Sequence, residues 1–410
     1  MTPTLLLVPA AALLAGWLGL RVTRGRRRWV RALVGLVAAV LVLGAALEVW
    51  ARTSLDSSAM ARAMVWFEAD VDDIDRFPSR PIEAGDETLA LRPGDLPAGT
   101  LDVVRVGDGE RELDDLLRQT STTAFLVLRD DELLVERYAH GGAADRPSTS
   151  FSVAKSYLST LVGIALERGE LGSLDDPVTE YVPELLEQDR RFAEVTLRSL
   201  VTMSSGLAYE EQGLPWSDDT TTYYAPDLRA EALSARVAGP PGERWHYNNF
   251  NPLLMGLVLE RATGTSVSEY MARHLWQPMG AEADASWSLD SERSGFEKLE
   301  SGVNAVPRDY ARFGYLFAHE GRVGGRQVVP AEWIREATAR DTSADPAEHY
   351  QYWWWVDTER EGRFYAAGNH GQFVYVDPAT DVVVVRLGRE DGDVRWTEVL
   401  RDVADRVAEP

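Results

Sequence analysis

Runs of β pattern stand near both ends of the globular part of this chain, and a long helical stretch separates them. "TTAFLVLRDDELLVERYAHG", from Thr122, reads as two strands hinged at Asp130-Asp131. Much later come "YQYWWWVD", "RFYAAG", "QFVYVD" and "DVVVVRLG", then a closing helix at about Val394 to Val407. From about residue 170 to 345 the apolar residues follow helical spacing broken by Pro and Gly, as in "NPLLMGLVLERATG" and "VSEYMARHLW". Strands at both ends around a helical middle predict an α/β fold. One antiparallel sheet is assembled from N- and C-terminal strands and flanked by helices, with a mostly helical subdomain inserted. The three tryptophans of "QYWWWVD" fall on an expected strand, with Trp354 facing opposite to its neighbours. Strand core on both faces explains them, and a substrate wall is the second reading.

The N-terminus has a different character. Thr2 to Leu20 carries no charge, "RVTRGRRRWVR" follows, and Ala32 to Leu47 is again uncharged and apolar. Each run is near the length that spans a bilayer as helix. No positive charge precedes the first run and no small-x-small site follows it, so a cleaved signal peptide fits poorly. The arginine run belongs in the cytoplasm, which gives a transmembrane helical hairpin with both ends outside. A single signal-anchor at 32–47 is the other reading. Both put the body of the chain at the cell membrane, on the extracytoplasmic side. Residues 1–52 are thus expected as anchor. Residues 53–100, rich in Asp, Pro and Gly, read as a linker or a surface-wrapping segment held by Trp66, Phe67 and Phe77, and 101–410 as one domain.

Charge and composition remove several functions. Formal net charge is −23, yet the first 52 residues hold seven Arg and one Glu, so the remainder carries −29. A body that acidic repels phosphate backbones and makes nucleic acid a poor partner. With no cysteine there is no disulfide and no thiol catalysis. Six scattered histidines without an HExxH-like pair give a metal site no support, and no cofactor is expected.

Basic residues carry a sharper signal. Of 42, only Lys155 and Lys298 are lysine. Lys155 lies in "PSTSFSVAKSYLSTLVGIALERG", three residues after Ser152, in the first turn of an apolar helix. Positions i and i+3 share a helix face, so the two side chains can touch. A serine hydroxyl is a weak nucleophile that needs a base beside it. Lysine can serve as that base and arginine cannot, because it does not deprotonate. The Ser152 N–H, at a helix start, also points where an oxyanion would develop. Alone, S-x-x-K is a weak pattern.

It is joined by Tyr247-Asn248-Asn249 in "PGERWHYNNFNPLLMGLVLERATG" and by "VTLRSLVTMSSGL" ahead of it. Together these resemble the serine β-lactamase-like superfamily of class C β-lactamases, D,D-peptidases, family VIII esterases and 6-aminohexanoate-dimer hydrolases. That pattern runs S-x-x-K, then Y-x-N, then K-[ST]-G or H-x-G on a strand. The likeness covers about residues 100–405, and "DRFPSRPI" and "VPRDYARFGYLFAHEG" look most like the aminohexanoate-dimer hydrolase branch. The resemblance implies Ser152 as nucleophile, Lys155 as its activating partner, and Tyr247 as phenolate base or proton shuttle sharing protons with Lys155. It implies that Asn249 bonds Lys155 or the substrate, and that Asn304 lines the pocket. A structural aromatic beneath Trp245 is the other reading of Tyr247.

The third motif departs from the pattern. The closing strand reads "FYAAGNHGQFVYVD" and holds no lysine; Gly368-Asn369-His370-Gly371-Gln372 fits the aminohexanoate-hydrolase branch. A backbone N–H around Asn369 then remains as second oxyanion donor. His370 reads equally as a site residue or a turn histidine. "YEEQGLPWSDDTTTYY" is either a lid offering Tyr209, Glu210 and Trp216 to substrate, or a solvated loop. The expected activity is a membrane-anchored serine hydrolase that forms an acyl-enzyme on ester or amide small molecules. The alternatives are a penicillin-recognising sensor or scaffold without turnover, and a true β-lactamase or D,D-peptidase.

Overall fold

A computed structural model gives the fold over residues 28–341 and 347–409. The chain divides into two compact units: residues up to Ala69 with Glu211–Pro226, and Asp70–Glu210 with Asp227–Pro410.

In the first unit a helix runs from Arg28 to Thr53, starting inside the arginine run. Its 26 residues span about 39 Å at 1.5 Å per residue, more than the ~30 Å of bilayer hydrocarbon. Leu33, Leu36, Val40 and Leu43 are exposed along it, so this apolar surface is left uncovered by the described residues. The other apolar run, Thr2 to Leu20, lies outside the described residues. A short helix follows at Ala59–Trp66, capped by Ser58, whose side chain accepts the Ala61 N–H. Arg62 is buried and donates to the carbonyls of Leu55 and Tyr224. The Tyr224 hydroxyl donates to the Phe67 carbonyl, and its ring lies 5.9 Å from that of Trp66. The helix Asp218–Tyr224, from the middle of the chain, is therefore packed on the helix Ala59–Trp66.

The second unit is built on an eight-stranded sheet. In chain order its strands are β1 (Arg92–Pro93), β2 (Thr122–Arg129), β3 (Glu132–Tyr138), β4 (Tyr350–Gln351), β5 (Trp354–Val356), β6 (Phe364–Gly368), β7 (Gln372–Asp377) and β8 (Val382–Gly388). Their spatial order is β4-β5-β6-β7-β8-β2-β3-β1. The C-terminal meander joins the N-terminal hairpin through β8 and β2, where Val384 faces Val127. All pairs are antiparallel except β1 with β3, which is parallel and departs from the expected all-antiparallel sheet. A hairpin could not supply this edge, because its strand arrives from the preceding extended segment. A second sheet of four short antiparallel strands sets Ser79–Ile82 beside Ala285–Ser288, Val303–Ala305 and Ser148–Thr149.

Val382 to Val385 are all buried, alternating between the two faces. On one face Val382 and Val384 join Phe125, Val127 and Tyr375 against Val399, Leu400, Val403 and Val407 of the helix Trp396–Ala408. Each such valine contributes roughly 1.5–3 kcal/mol by leaving water. Toward the other face the helix Pro307–Ala318 approaches so closely that a Cβ on Gly314 would lie 2.4 Å from Val383 Cγ1. The tryptophan triplet is not one strand. Tyr352 and Trp353 take φ of 40° and 66°, forming the turn between β4 and β5. Trp354 then stacks on Phe313, and Trp355 remains half-buried.

Candidate active site

Ser152 is the N-cap residue of the helix Val153–Glu167. That helix is buried nearly all round, so its start is fixed by core packing. Phe151, immediately before it, has φ of 44°, a left-handed conformation that costs a bulky residue on the order of 1–3 kcal/mol. Its buried ring packs 5.2 Å from the ring of His370. Packing thus holds a strained turn that leaves Ser152 half-exposed.

One turn along, Lys155 is 1% exposed. Its Nζ lies 2.9 Å from Ser152 Oγ, donates to the Glu300 carbonyl at 2.7 Å, and sits 5.0 Å from the centre of the Tyr247 ring. Three partners match the three N–H bonds of an ammonium. The same arrangement suits the neutral amine. A carbonyl and a ring face can only accept, so two N–H bonds go to them and the lone pair is left toward the Ser152 hydroxyl proton.

The Glu300 carbonyl is itself held. Lys298 Nζ pairs with Glu300 Oε1 at 3.1 Å, and Ser301 Oγ donates to the same oxygen at 2.8 Å. Trp287 Nε1 donates to the carbonyls of Lys298 and Ser301, closing the turn. Both lysines of the chain therefore converge on one residue, Lys155 on its carbonyl and Lys298 on its carboxylate.

Tyr247 is half-buried, stacked on Trp355 with ring centres 6.1 Å apart and edge-on to Tyr350 at 5.9 Å. Burial pushes the Tyr350 hydroxyl well above the ordinary tyrosine value, and Tyr247 beside it adds to the shift. Tyr350 therefore stays a phenol. Asn249 Nδ2 donates to the hydroxyl of buried Tyr209 at 2.9 Å, so these two expected residues meet.

The strand β6 reaches Ser152 through a glycine. A Cβ on Gly368 would lie 2.3 Å from the Ser150 carbonyl and 3.0 Å from the Ser152 nitrogen. Only a residue without a side chain lets the strand lie there, next to the Ser152 N–H. Asn369 follows, exposed, and then His370 at φ of 60° with its ring half-exposed against Phe151. Three other expected residues stand differently. Asn304 is buried in the small sheet, opposite Thr149, and donates to the hydroxyls of Ser286 and Ser288. Glu210 is exposed. Trp216, 64% exposed, belongs to the first unit.

A beta-lactamase family profile matches residues 110–407. The chain belongs to the beta-lactamase family. Within it, the 6-aminohexanoate-dimer hydrolase of Paenarthrobacter ureafaciens is 30% identical over 324 residues, covering 72% of this chain and 80% of that one. A solved Bacillus anthracis structure, provisionally called a 6-aminohexanoate-dimer hydrolase, has TM-score 0.70 at 23% identity, over 81% of this chain and 90% of that one. A family VIII carboxylesterase has TM-score 0.53 at 18% identity, over 71% and 97%. The aminohexanoate-dimer hydrolases expected from the motifs are thus among the relatives of this chain.

Sequence reasoning passed over Glu300, whose contribution is a backbone carbonyl that any residue carries. The one available signal was the second lysine, Lys298, in a chain that otherwise uses arginine.

Proposed function

We propose that the protein is a membrane-anchored serine hydrolase that cleaves ester or linear amide bonds through an acyl-enzyme on Ser152. The observation that carries this reading is the Lys155 amine, with two pure acceptors for its N–H bonds and Ser152 Oγ at 2.9 Å. Lys155 takes the serine proton as Oγ attacks the carbonyl carbon. Tyr247, over the amine, passes that proton to the leaving group. The N–H groups of Ser152 and Asn369 stabilise the oxyanion, a contribution worth about 10²–10³ in rate per donor in other serine hydrolases. Water then enters, gives its proton to the same pair and releases the acid.

The named activities of the relatives, on an aminohexanoate dimer and on carboxylic esters, favour linear amides and esters over lactams. A fluorophosphonate probe should label Ser152 alone, and both Ser152→Ala and Lys155→Arg should abolish labelling. Wild-type labelling in Lys155→Arg would refute the base assignment. The helix Arg28–Thr53 supports anchoring, and the arginine run in which it starts favours a body outside the cytoplasm. A cysteine introduced at Asp56 should react with an impermeant thiol reagent on intact cells. Protection there would reverse the orientation.

A further inference from the structure

Beneath the turn that closes the site lies a guanidinium with no part in the steps above. Arg386, on β8, is fully buried. Its Nε donates to Thr122 Oγ1 at 3.1 Å. Nη1 donates to the carbonyls of His370 and Gly371 at 2.7 and 2.8 Å. Nη2 donates to the carbonyls of Thr120 and Glu390 at 2.7 and 2.5 Å. The guanidinium carbon stands 4.3 Å over the Trp396 ring. Burial draws the group down to about 9, which leaves it charged at neutral pH.

Two glycines make the space. A Cβ on Gly371 would fall 2.0 Å from Nη1, and one on Gly388 would fall 2.5 Å from Cζ and Nη2. One fork of the guanidinium thus grips the peptides just after Asn369, and the other grips the segments at Thr120 and Glu390. Lysine, with one nitrogen, cannot reach both sides. The grip matters because His370 is a non-glycine residue at φ of 60°, a conformation that relaxes unless its neighbours hold it.

We infer that Arg386 is a positioning residue for catalysis: by holding the carbonyls of His370 and Gly371, it fixes the 368–371 turn and aims the Asn369 N–H at the oxyanion. The inference rests on the Ser152 reading proposed above. It assigns the core cation of the sheet to rate rather than to substrate binding.

The test compares full-length wild type, Arg386→Lys and Gly388→Ala. Gly388 has no positive φ, so its alanine variant displaces the guanidinium by contact and leaves the charge inventory unchanged. Hydrolysis of p-nitrophenyl butyrate is measured from pH 5 to 9, with thermal melts to establish folding and inhibition by a butyl boronic acid as oxyanion mimic. The expected result is a 10- to 100-fold loss in kcat for both variants, with KM within twofold. Boronate affinity should fall in parallel with kcat/KM, and the acid limb of the profile should not move. Folded variants with kcat within twofold of wild type overturn the inference. So does a shift of the acid limb equal to the rate loss, or recovery of neither variant as folded protein. If wild type itself turns over no ester and takes no fluorophosphonate, the Ser152 reading fails instead, which separates the two.

Discussion

Replacing Gly368 by alanine tests the oxyanion geometry with a single methyl group. The glycine has φ of −138°, which any residue adopts, so the substitution brings no backbone strain. Its whole effect is contact. The added carbon would sit 2.3 Å from the Ser150 carbonyl oxygen, against the ~3.3 Å at which carbon and carbonyl oxygen normally meet. Strand β6 or the Ser150–Ser152 turn must therefore retreat by about 1 Å, and a misplacement of that size can cost on the order of 10²-fold in rate. That corresponds to ~2.7 kcal/mol of barrier. The accompanying overpacking should lower stability by about 1–3 kcal/mol. Steady-state hydrolysis of p-nitrophenyl butyrate and a thermal melt measure both. Gly239→Ala serves as control, since a Cβ there meets nothing within 4 Å. A folded Gly368→Ala enzyme with kcat within threefold of wild type would show that β6 does not set the oxyanion donors.

Three further outcomes follow from other parts of the structure. Lys298→Met should destabilise the protein by about 3–5 kcal/mol in urea unfolding, because the Glu300 carboxylate is left buried without its cation; adding Glu300→Gln should recover part of the loss. Asp357→Asn should cost roughly 1.5–3 kcal/mol at pH 7. Burial pushes the Asp357 carboxyl up, but Arg401, Tyr375 and the Glu359 N–H outweigh it and hold it below the ordinary 3.8, so its stabilisation is complete above about pH 4 and drains away as pH falls. The melting temperature of the variant should therefore depend less on pH below 4 than that of wild type. Finally, nitrocefin should be a poorer substrate than p-nitrophenyl butyrate, by about 10- to 150-fold in binding for the missing carboxylate partner. Lys298 is engaged by Glu300 and Arg386 by carbonyls, so neither offers a cation to a lactam carboxylate. A higher kcat/KM for the lactam would overturn this.

Local patterns carried much of the fold and the core of the site. The valine run of β8 and the hairpin at Asp130-Asp131 announce themselves by composition, and i, i+3 spacing is enough to bring Lys155 to Ser152. Contacts made over long sequence separation were not legible. Nothing in "TTTYY" says that Tyr224 will bond Phe67, or that Arg92-Pro93 will lie parallel to β3. Backbone roles were hidden too, since the Glu300 carbonyl belongs to the chain rather than to the glutamate. Arg386 follows four valines, and nothing in "DVVVVRLG" tells whether it is buried. It is buried because Gly371 and Gly388, remote from each other in sequence, leave the volume it fills.

The scarcity of lysine has a practical side. Lys155 and Lys298 are the only lysines, and each is 1% exposed. The folded chain therefore presents no lysine amine to an acylating dye, an aldehyde fixative or a lysine-directed protease. Endoproteinase Lys-C should leave the native protein whole and cut it after residues 155 and 298 once the core opens. Because one of those two bonds follows the amine that faces Ser152, the rate of cutting there reports the opening of the active site itself, without substrate or label.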